Sequence, residues 1–433
     1  MRWRELLAKR SFLPLFVTQF CGALNDNVFK LSMLTLISYH LSTSQNQSEH
    51  FQALAGALFT IPFFLFSATA GQLADRYDKA LISRVVKLLE IVLMILGSVA
   101  LYRGSIILLM LTLTGMGIHS TFFGPIKYAI LPDHLPKNQL LDATALIEAS
   151  TFLAILLGTT LGALSIGNTS SKVHFAVFLI NITAIIGFLF SLFIPRAPAC
   201  TASFKVDWNV WRATKNMLRD VIHNAKVLPA ILAISWFWLI GAVILTKLPD
   251  YTHYTLRADT TVFALFLTLF SIGIALGSMA ISRFLAGKIT IQFVPLTMLL
   301  MTLFAADLYW ATPALSSQLP LQTLIQFMLK IQNWRIICDF FFFSVCGGLF
   351  VVPLYTYLQI SCDEGQRART IAANNIFGAL SMVIGSLLIM VLLQFNINIA
   401  SIFIILAVLN ALVAAAFWAT LIYSNRKLGL QAG

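Results

Sequence analysis

Apolar runs of about twenty residues recur along the whole chain and limit its fold more than any other feature. A bilayer core roughly 30 Å thick is crossed by about 20 helical residues, and a helix satisfies its own backbone N–H and C=O groups where no water can. Twelve runs of that length lie near 12–39, 51–74, 81–101, 105–131, 141–165, 173–194, 228–249, 260–282, 290–312, 336–360, 370–394 and 399–423. Only 11% of the 433 residues are charged and 59% are hydrophobic, against about 25% charged in ordinary soluble domains. The chain reads as an all-α, polytopic membrane protein of twelve transmembrane helices.

Lys and Arg outnumber Asp and Glu by 29 to 17, a net charge of +12. Nucleic-acid binding would need these bases on one folded face, but they sit in loops, so no nucleic-acid partner is expected. Basic residues mark the cytoplasmic side. With the N-terminus inside, the inner segments hold 21 of them, the outer loops 5 (Arg103, Lys172, Arg257, Lys330, Arg335) and the spans 3 (Lys30, Lys127, Lys247). Both termini are therefore expected in the cytoplasm. The basic start Met1-Arg2-Trp3-Arg4-Glu5 leads into a long apolar run without a small-residue cleavage site, as a retained anchor does. Cys21, Cys338 and Cys346 fall in apolar runs, Cys200 and Cys362 in loops. No disulfide or metal spacing emerges, and neither metal nor cofactor is expected.

The longest inner connection separates six spans from six. It gives a first bundle at 1–194, a linker at 195–227 and a second bundle at 228–433. The linker mixes Arg196, Lys205, Arg212, Lys215, Arg219 and Lys226 with Trp208, Trp211, Met217 and Leu218. Its second part reads as a basic amphipathic helix on the inner leaflet, with a solvated linker as the alternative. The halves also resemble each other. Phe123-Gly124-Pro125-Ile126-Lys127-Tyr128 has a counterpart in Val351-Val352-Pro353-Leu354-Tyr355-Thr356; Glu148 and Gly158 match Asn375 and Gly385; Gly71 and Arg76 match Gly277 and Arg283. Two six-span repeats on one chain are the plan of a transporter whose halves rock about a central site.

Ionisable residues inside spans are costly, roughly 2.5 to 3.5 kcal/mol each at a helix centre on insertion scales, and mark functional sites by default. The first span holds Gln19, Asn25, Asp26, Asn27 and Lys30, and on a helix Gln19, Gly22, Asp26 and Lys30 form one polar stripe. Asp26 lies roughly 21 Å from the inner end of its span and Glu148 about 12 Å from the inner end of its own. Lys127 and Lys30 sit near span ends and can snorkel; Lys30 also stands four residues after Asp26, the favourable order for a helical pair. Glycines and prolines in spans four and ten (Gly115, Gly117, Gly124, Pro125; Gly347, Gly348, Pro353) point to tight packing or to flexible helices that bend locally.

Gly71-Gln72-Leu73-Ala74-Asp75-Arg76-Tyr77-Asp78-Lys79 resembles the signature loop of the major facilitator superfamily, with Asp78 in place of the usual turn glycine. The resemblance implies two pseudo-symmetric six-helix bundles, the major facilitator fold, with Gly71, Asp75, Arg76 and Lys79 at the cytoplasmic gate and Arg283 at its weaker second-half counterpart. An ordinary charged loop is the alternative. The segments 123–128, 148–158, 347–354 and 371–375, with the Asp26-Asn27 pair, are similar to the lysophospholipid transporters of bacterial inner membranes. Asn374-Asn375 and Ser235-Trp236-Phe237-Trp238 look closest to the branch fused to acyltransferase and acyl-carrier-protein synthetase domains. That likeness implies movement of lysophosphatidylethanolamine from outer to inner leaflet for reacylation, membrane lipids and an acyltransferase as partners, and a monomer.

The residues fit such a substrate on their own chemistry. Its head group carries a phosphate and an ammonium, so a site needs a base and an acid with an apolar slot beside them. Asp26 and Glu148 suit the ammonium, Lys127 the phosphate, and the amides of Asn25, Asn27, Asn374 and Asn375 the remaining oxygens, with Lys30 at the margin. A proton-coupled transporter of a small amphipathic compound, with Asp26 or Glu148 carrying the proton, is the alternative. An acyltransferase enzyme is disfavoured, because none of the seven histidines is followed by an acid five positions later; a pure membrane anchor would tolerate loss of Asp26 and Glu148.

Overall fold

The computed structural model describes residues 2–166, 173–199, 205–313, 320–395 and 398–431. Lys172 and Cys200 lie outside the described residues, as does part of the 195–227 linker. Among the described residues one isolated bridge, Ala258 with Gln322, is the sole β-type contact. The long helices are α1 (Leu13–Leu36), α2 (Gln45–Arg76), α3 (Lys79–Arg103), α4 (Ile106–Ala129), α5 (Lys137–Ser165), α6 (Val173–Ser191), α7 (Leu228–Asp250), α8 (Thr260–Phe284), α9 (Val294–Ala311), α10 (Ile331–Ser361), α11 (Arg367–Gln394) and α12 (Ile399–Gln431).

Among the described residues eleven helices, α2 to α12, are long and apolar enough to cross a membrane. α1 is the exception, because Gln19, Asn25, Asp26, Asn27 and Lys30 dilute its apolar character. Its 24 residues nonetheless extend about 36 Å, and its flanks pack along α5 and α6. The twelfth expected span is thus the polar one, sheltered by its neighbours.

Local chemistry sets the breaks. Ser44 caps α2 by accepting from the Gln47 N–H at 3.3 Å, and Asp259 caps α8 by accepting from the Thr261 N–H at 2.9 Å. α3 stops at Gly104, whose φ of +60° is open to glycine at no steric cost. Asp78, the residue that departs from the signature loop, has φ −59° and needs no glycine. Its carboxylate accepts from the Ala80 N–H at 2.9 Å and the Ala197 N–H at 3.0 Å, so it caps α3 and fastens the start of the linker. The first helix of each half ends in a single π-helical turn, Ile37–Leu41 after α1 and Tyr251–Thr255 after α7.

The chain forms two compact units. One contains Met1–Asn224 and Leu358–Ile376; the other contains Ala225–Tyr357 and Phe377–Gly433. The linker is therefore no separate body. Its helix, Val210–Ile222, packs on α2, and a short segment of the second half joins the first unit. In the first unit α1 lies on α5 and α6, α2 on α4, and α3 on α4 and α6. Gly158 and Gly162 let α5 seat on the backbone of α1, since an added methyl would meet Leu24 O at 2.7 Å and Val28 O at 2.6 Å. In the second unit Gly385 seats α11 on Leu239 O of α7 in the corresponding way. Gly277 and Gly348 bring α8 and α10 into backbone contact through Val345 O and Ile274 O. Small residues at such crossings allow the close approach that stabilises helix pairs in lipid.

Candidate functional site

α4 organises the polar residues of the first unit. Ser120, Gly124 and Lys127 stand at steps of four and three, hence on one face of that helix. The Ser120 hydroxyl donates to Asp26 Oδ2 at 2.6 Å, tying α1 to α4. One turn along, Gly124 leaves room for the Asn375 amide, whose nitrogen lies 2.8 Å from where a methyl would stand. A further turn along is Lys127, half-buried, with its ammonium 4.7 Å from the Tyr128 ring centre. The carboxylates acting on that ammonium are those of Glu148 and Asp26. Glu148, 1% exposed, accepts the Tyr128 hydroxyl. The face therefore gathers one base, two acids and an amide. Among the described residues Asp26 Oδ1 has no hydrogen-bond partner, and neither does the Oδ1 of Asn374, itself 1% exposed.

The stripe on α1 divides among four helices instead of meeting one surface. Gln19 donates to Ile147 O at 3.3 Å and to the Ser150 hydroxyl, and accepts from Thr151 at 3.2 Å, all on α5. Gly22 faces α3, where a methyl would stand 2.6 Å from the Lys87 ammonium. Asp26 meets α4, where its hydrogen-bond partner is Ser120. Lys30 lies over the Phe59 ring of α2, 5.8 Å from its centre. Asn27 turns its amide back to Ala23 O at 2.8 Å.

Asn25 belongs to a different group. Fully buried, it donates to Glu90 Oε1 at 2.7 Å; the Lys87 ammonium is 2.5 Å from Glu90 Oε2 and His119 Nε2 is 3.1 Å from the same oxygen. Lys87 and Glu90 are both 0% exposed. The count of three bases within spans thus omits Arg84 and Lys87, both of which lie inside the run 81–101. The signal was present in the sequence: Lys87 and Glu90 stand three apart inside an apolar run, one helical turn, the spacing of a pair.

The signature loop is latched to the start of α11 within the same unit. Asp75, 2% exposed, accepts from the Ala368 N–H at 2.9 Å, the Arg369 N–H at 3.2 Å and Arg369 Nε at 3.0 Å. A carboxylate there satisfies orphan donors and the positive end of the helix dipole. Gly71 is required by closeness, since a methyl would lie 2.8 Å from Arg369 Cα. Lys79 donates to Asp133 at 2.8 Å, and Arg367 donates to the other oxygen of Asp133 at 3.0 Å. Asp133, Arg367 and Arg369 were not singled out from sequence, because their partners are distant in the chain. Arg76 lies beside Tyr77, 5.3 Å from its ring centre. Arg283, in the second unit, is exposed at the end of α8. Among the described residues no group of His, Cys, Asp and Glu is arranged to hold a metal ion.

The Major Facilitator Superfamily profile matches residues 15–386. The chain belongs to the major facilitator superfamily. Two solved structures share its fold: the human organic anion transporter MFSD10 (TETRAN), with TM-score 0.72 at 14% identity over 94% of this chain and 99% of that one, and the proton:xylose symporter XylE, with TM-score 0.72 at 12% identity over 96% of each. The chain is also similar to proteins named lysophospholipid transporter LplT. That of Photorhabdus laumondii is 25% identical over 364 residues, 82% of this chain and 81% of the relative; that of Serratia proteamaculans is 24% identical over 357 residues, with 82% and 81% covered. This member of the superfamily is a multi-pass membrane transporter and not an enzyme.

Proposed function

We propose that the protein carries lysophosphatidylethanolamine-like lipids from the outer to the inner leaflet of a bacterial inner membrane, where an acyltransferase or acyl-carrier-protein synthetase partner restores the second chain. The similarity to lysophospholipid transporters along four fifths of both chains carries this reading. The polar face of α4 supports it. A zwitterionic head group needs both signs of charge, and Lys127 lies within electrostatic reach of Glu148 first and Asp26 second. Lys127 takes the phosphate, Asp26 and Glu148 take the ammonium, and Asn375 and Asn374 donate to the glycerol and phosphate oxygens. Asn25 has spent an amide hydrogen on Glu90 and is a positioning residue; Asn27 and Lys30 line the approach. The latch of Asp75, Lys79 and Asp133 closes the cytoplasmic side, where the basic loops place both termini, and the protein works as a monomer.

Uptake of radiolabelled lysophosphatidylethanolamine by spheroplasts, with and without an uncoupler, tests this. Transport is expected in both conditions, and Lys127→Ala or Asp26→Ala should lower it by about tenfold or more, the loss of one charge-assisted contact of roughly 1.5 to 3 kcal/mol. Absence of lipid uptake in both conditions overturns the reading. Uptake abolished by the uncoupler would favour the proton-driven alternative.

A further inference from the structure

The linker helix has more faces than its attachment to α2 uses. Ala213, Met217 and Val221 recur every four residues and are buried. Trp211, Leu218 and Ile222 follow at steps of seven and four along another side. Trp211 is 77% exposed, Ile222 is 52% exposed, and Trp208 just before the helix is 71% exposed. Next round the helix come Lys215 and Arg219, both exposed, with Arg212 held by Asp207 at 2.6 Å. Aromatic residues beside a row of bases suit a boundary between acyl chains and acidic head groups, with the rings at head-group depth.

The entry to this helix is tied to the latch. The Asp207 N–H donates to Gln72 Oε1 at 2.7 Å, and Gln72 is three residues from Asp75, which caps α11. On this geometry we infer that the helix Val210–Ile222 docks on anionic phospholipid head groups, and that the docked helix holds the Gln72–Asp75 segment against the start of α11. The inference rests on the cytoplasmic placement of the linker under the proposed function, and on charge complementarity between Lys215, Arg219 and an acidic surface. Lipid composition then sets how firmly the latch is held.

Full-length protein in phosphatidylcholine vesicles, with or without phosphatidylglycerol, separates the possibilities. Tryptophan emission that disappears in Trp208→Phe/Trp211→Phe should be quenched by brominated acyl chains when phosphatidylglycerol is present. That quenching should weaken in high salt and in Lys215→Glu/Arg219→Glu, by about fivefold in binding for each base lost. Hydrogen exchange at Ala368 and Arg369 should slow on adding phosphatidylglycerol, and Gln72→Ala should remove this slowing while leaving the quenching intact. Emission from Trp208 and Trp211 that resists quenching, or quenching indifferent to phosphatidylglycerol, overturns the docking. Exchange indifferent to phosphatidylglycerol in the wild type overturns the link to the latch. Lysophospholipid flipping in the same vesicles is read separately, so its absence counts against the proposed function and not against docking.

Discussion

Neutralising Glu90 should damage the first unit more than neutralising Lys87, and removing both should restore most of the loss. Glu90 is completely buried and contacts Lys87 at 2.5 Å, Asn25 at 2.7 Å and His119 at 3.1 Å. Glu90→Gln keeps the size and still accepts from Asn25, but leaves the Lys87 ammonium with no counter-charge. Breaking a buried pair in this way costs about 3 to 5 kcal/mol. Lys87→Met should cost less, because Glu90 keeps the Asn25 amide at 2.7 Å and the His119 ring at 3.1 Å beside it. Lys87→Met/Glu90→Gln removes both charges and keeps the Asn25 bond, and should come within about 1 to 2 kcal/mol of wild type. The cycle therefore has a coupling of at least about 2 kcal/mol. Equilibrium unfolding in mild detergent titrated with a denaturing one, followed by tryptophan emission, measures all four proteins. Single variants within about 0.5 kcal/mol of wild type, or a double variant equal to the sum of the singles, would refute the argument.

Gly124→Ala should leave stability unchanged, since the methyl meets only the movable end of Asn375 at 2.8 Å; lipid uptake should fall because the amide is displaced, and unaltered uptake counts against its role. Gly277→Ala drives a methyl into the Val345 carbonyl, which is backbone and cannot yield; a loss of about 1 to 3 kcal/mol or more is expected in the same unfolding assay. The Arg212 guanidinium holds the half-buried Asp207 carboxyl below the usual range. The stability it adds at the start of the linker helix is thus present above the unfolded carboxylate value of about 3.9 and is lost as pH falls through the lower folded value. Amide exchange at Asn209 and Arg212 should quicken only at that acid end, and a change near neutral pH would contradict it.

Spans, repeat and signature loop were legible because each is a local signal. Length and apolarity identify a membrane helix without reference to neighbours, and Gly158 and Gly385, matched by sequence alone, turn out to seat equivalent helices. Partners were less legible. Asp26 was recognised as costly, but its Ser120 contact joins residues 94 apart in the chain, and a serine in an apolar helix has no distinctive pattern. Lys87 and Glu90 stand in the inner half of α3, and nothing local marks which face of a span its neighbours will cover; the bundle closes over them.

By itself the sequence determined that the chain is a membrane-embedded helical transporter of two related halves, because lipid permits few solutions for twelve such segments and the same pattern occurs twice. Tertiary structure alone decided which polar groups share a face. A helix presents a residue every 100°, so a stripe read on α1 is divided by whichever helices happen to surround it. Packing gave Asn25 to Glu90, Asp26 to Ser120 and Lys30 to Phe59, and made α4, not α1, the helix on which acid, base and amide converge.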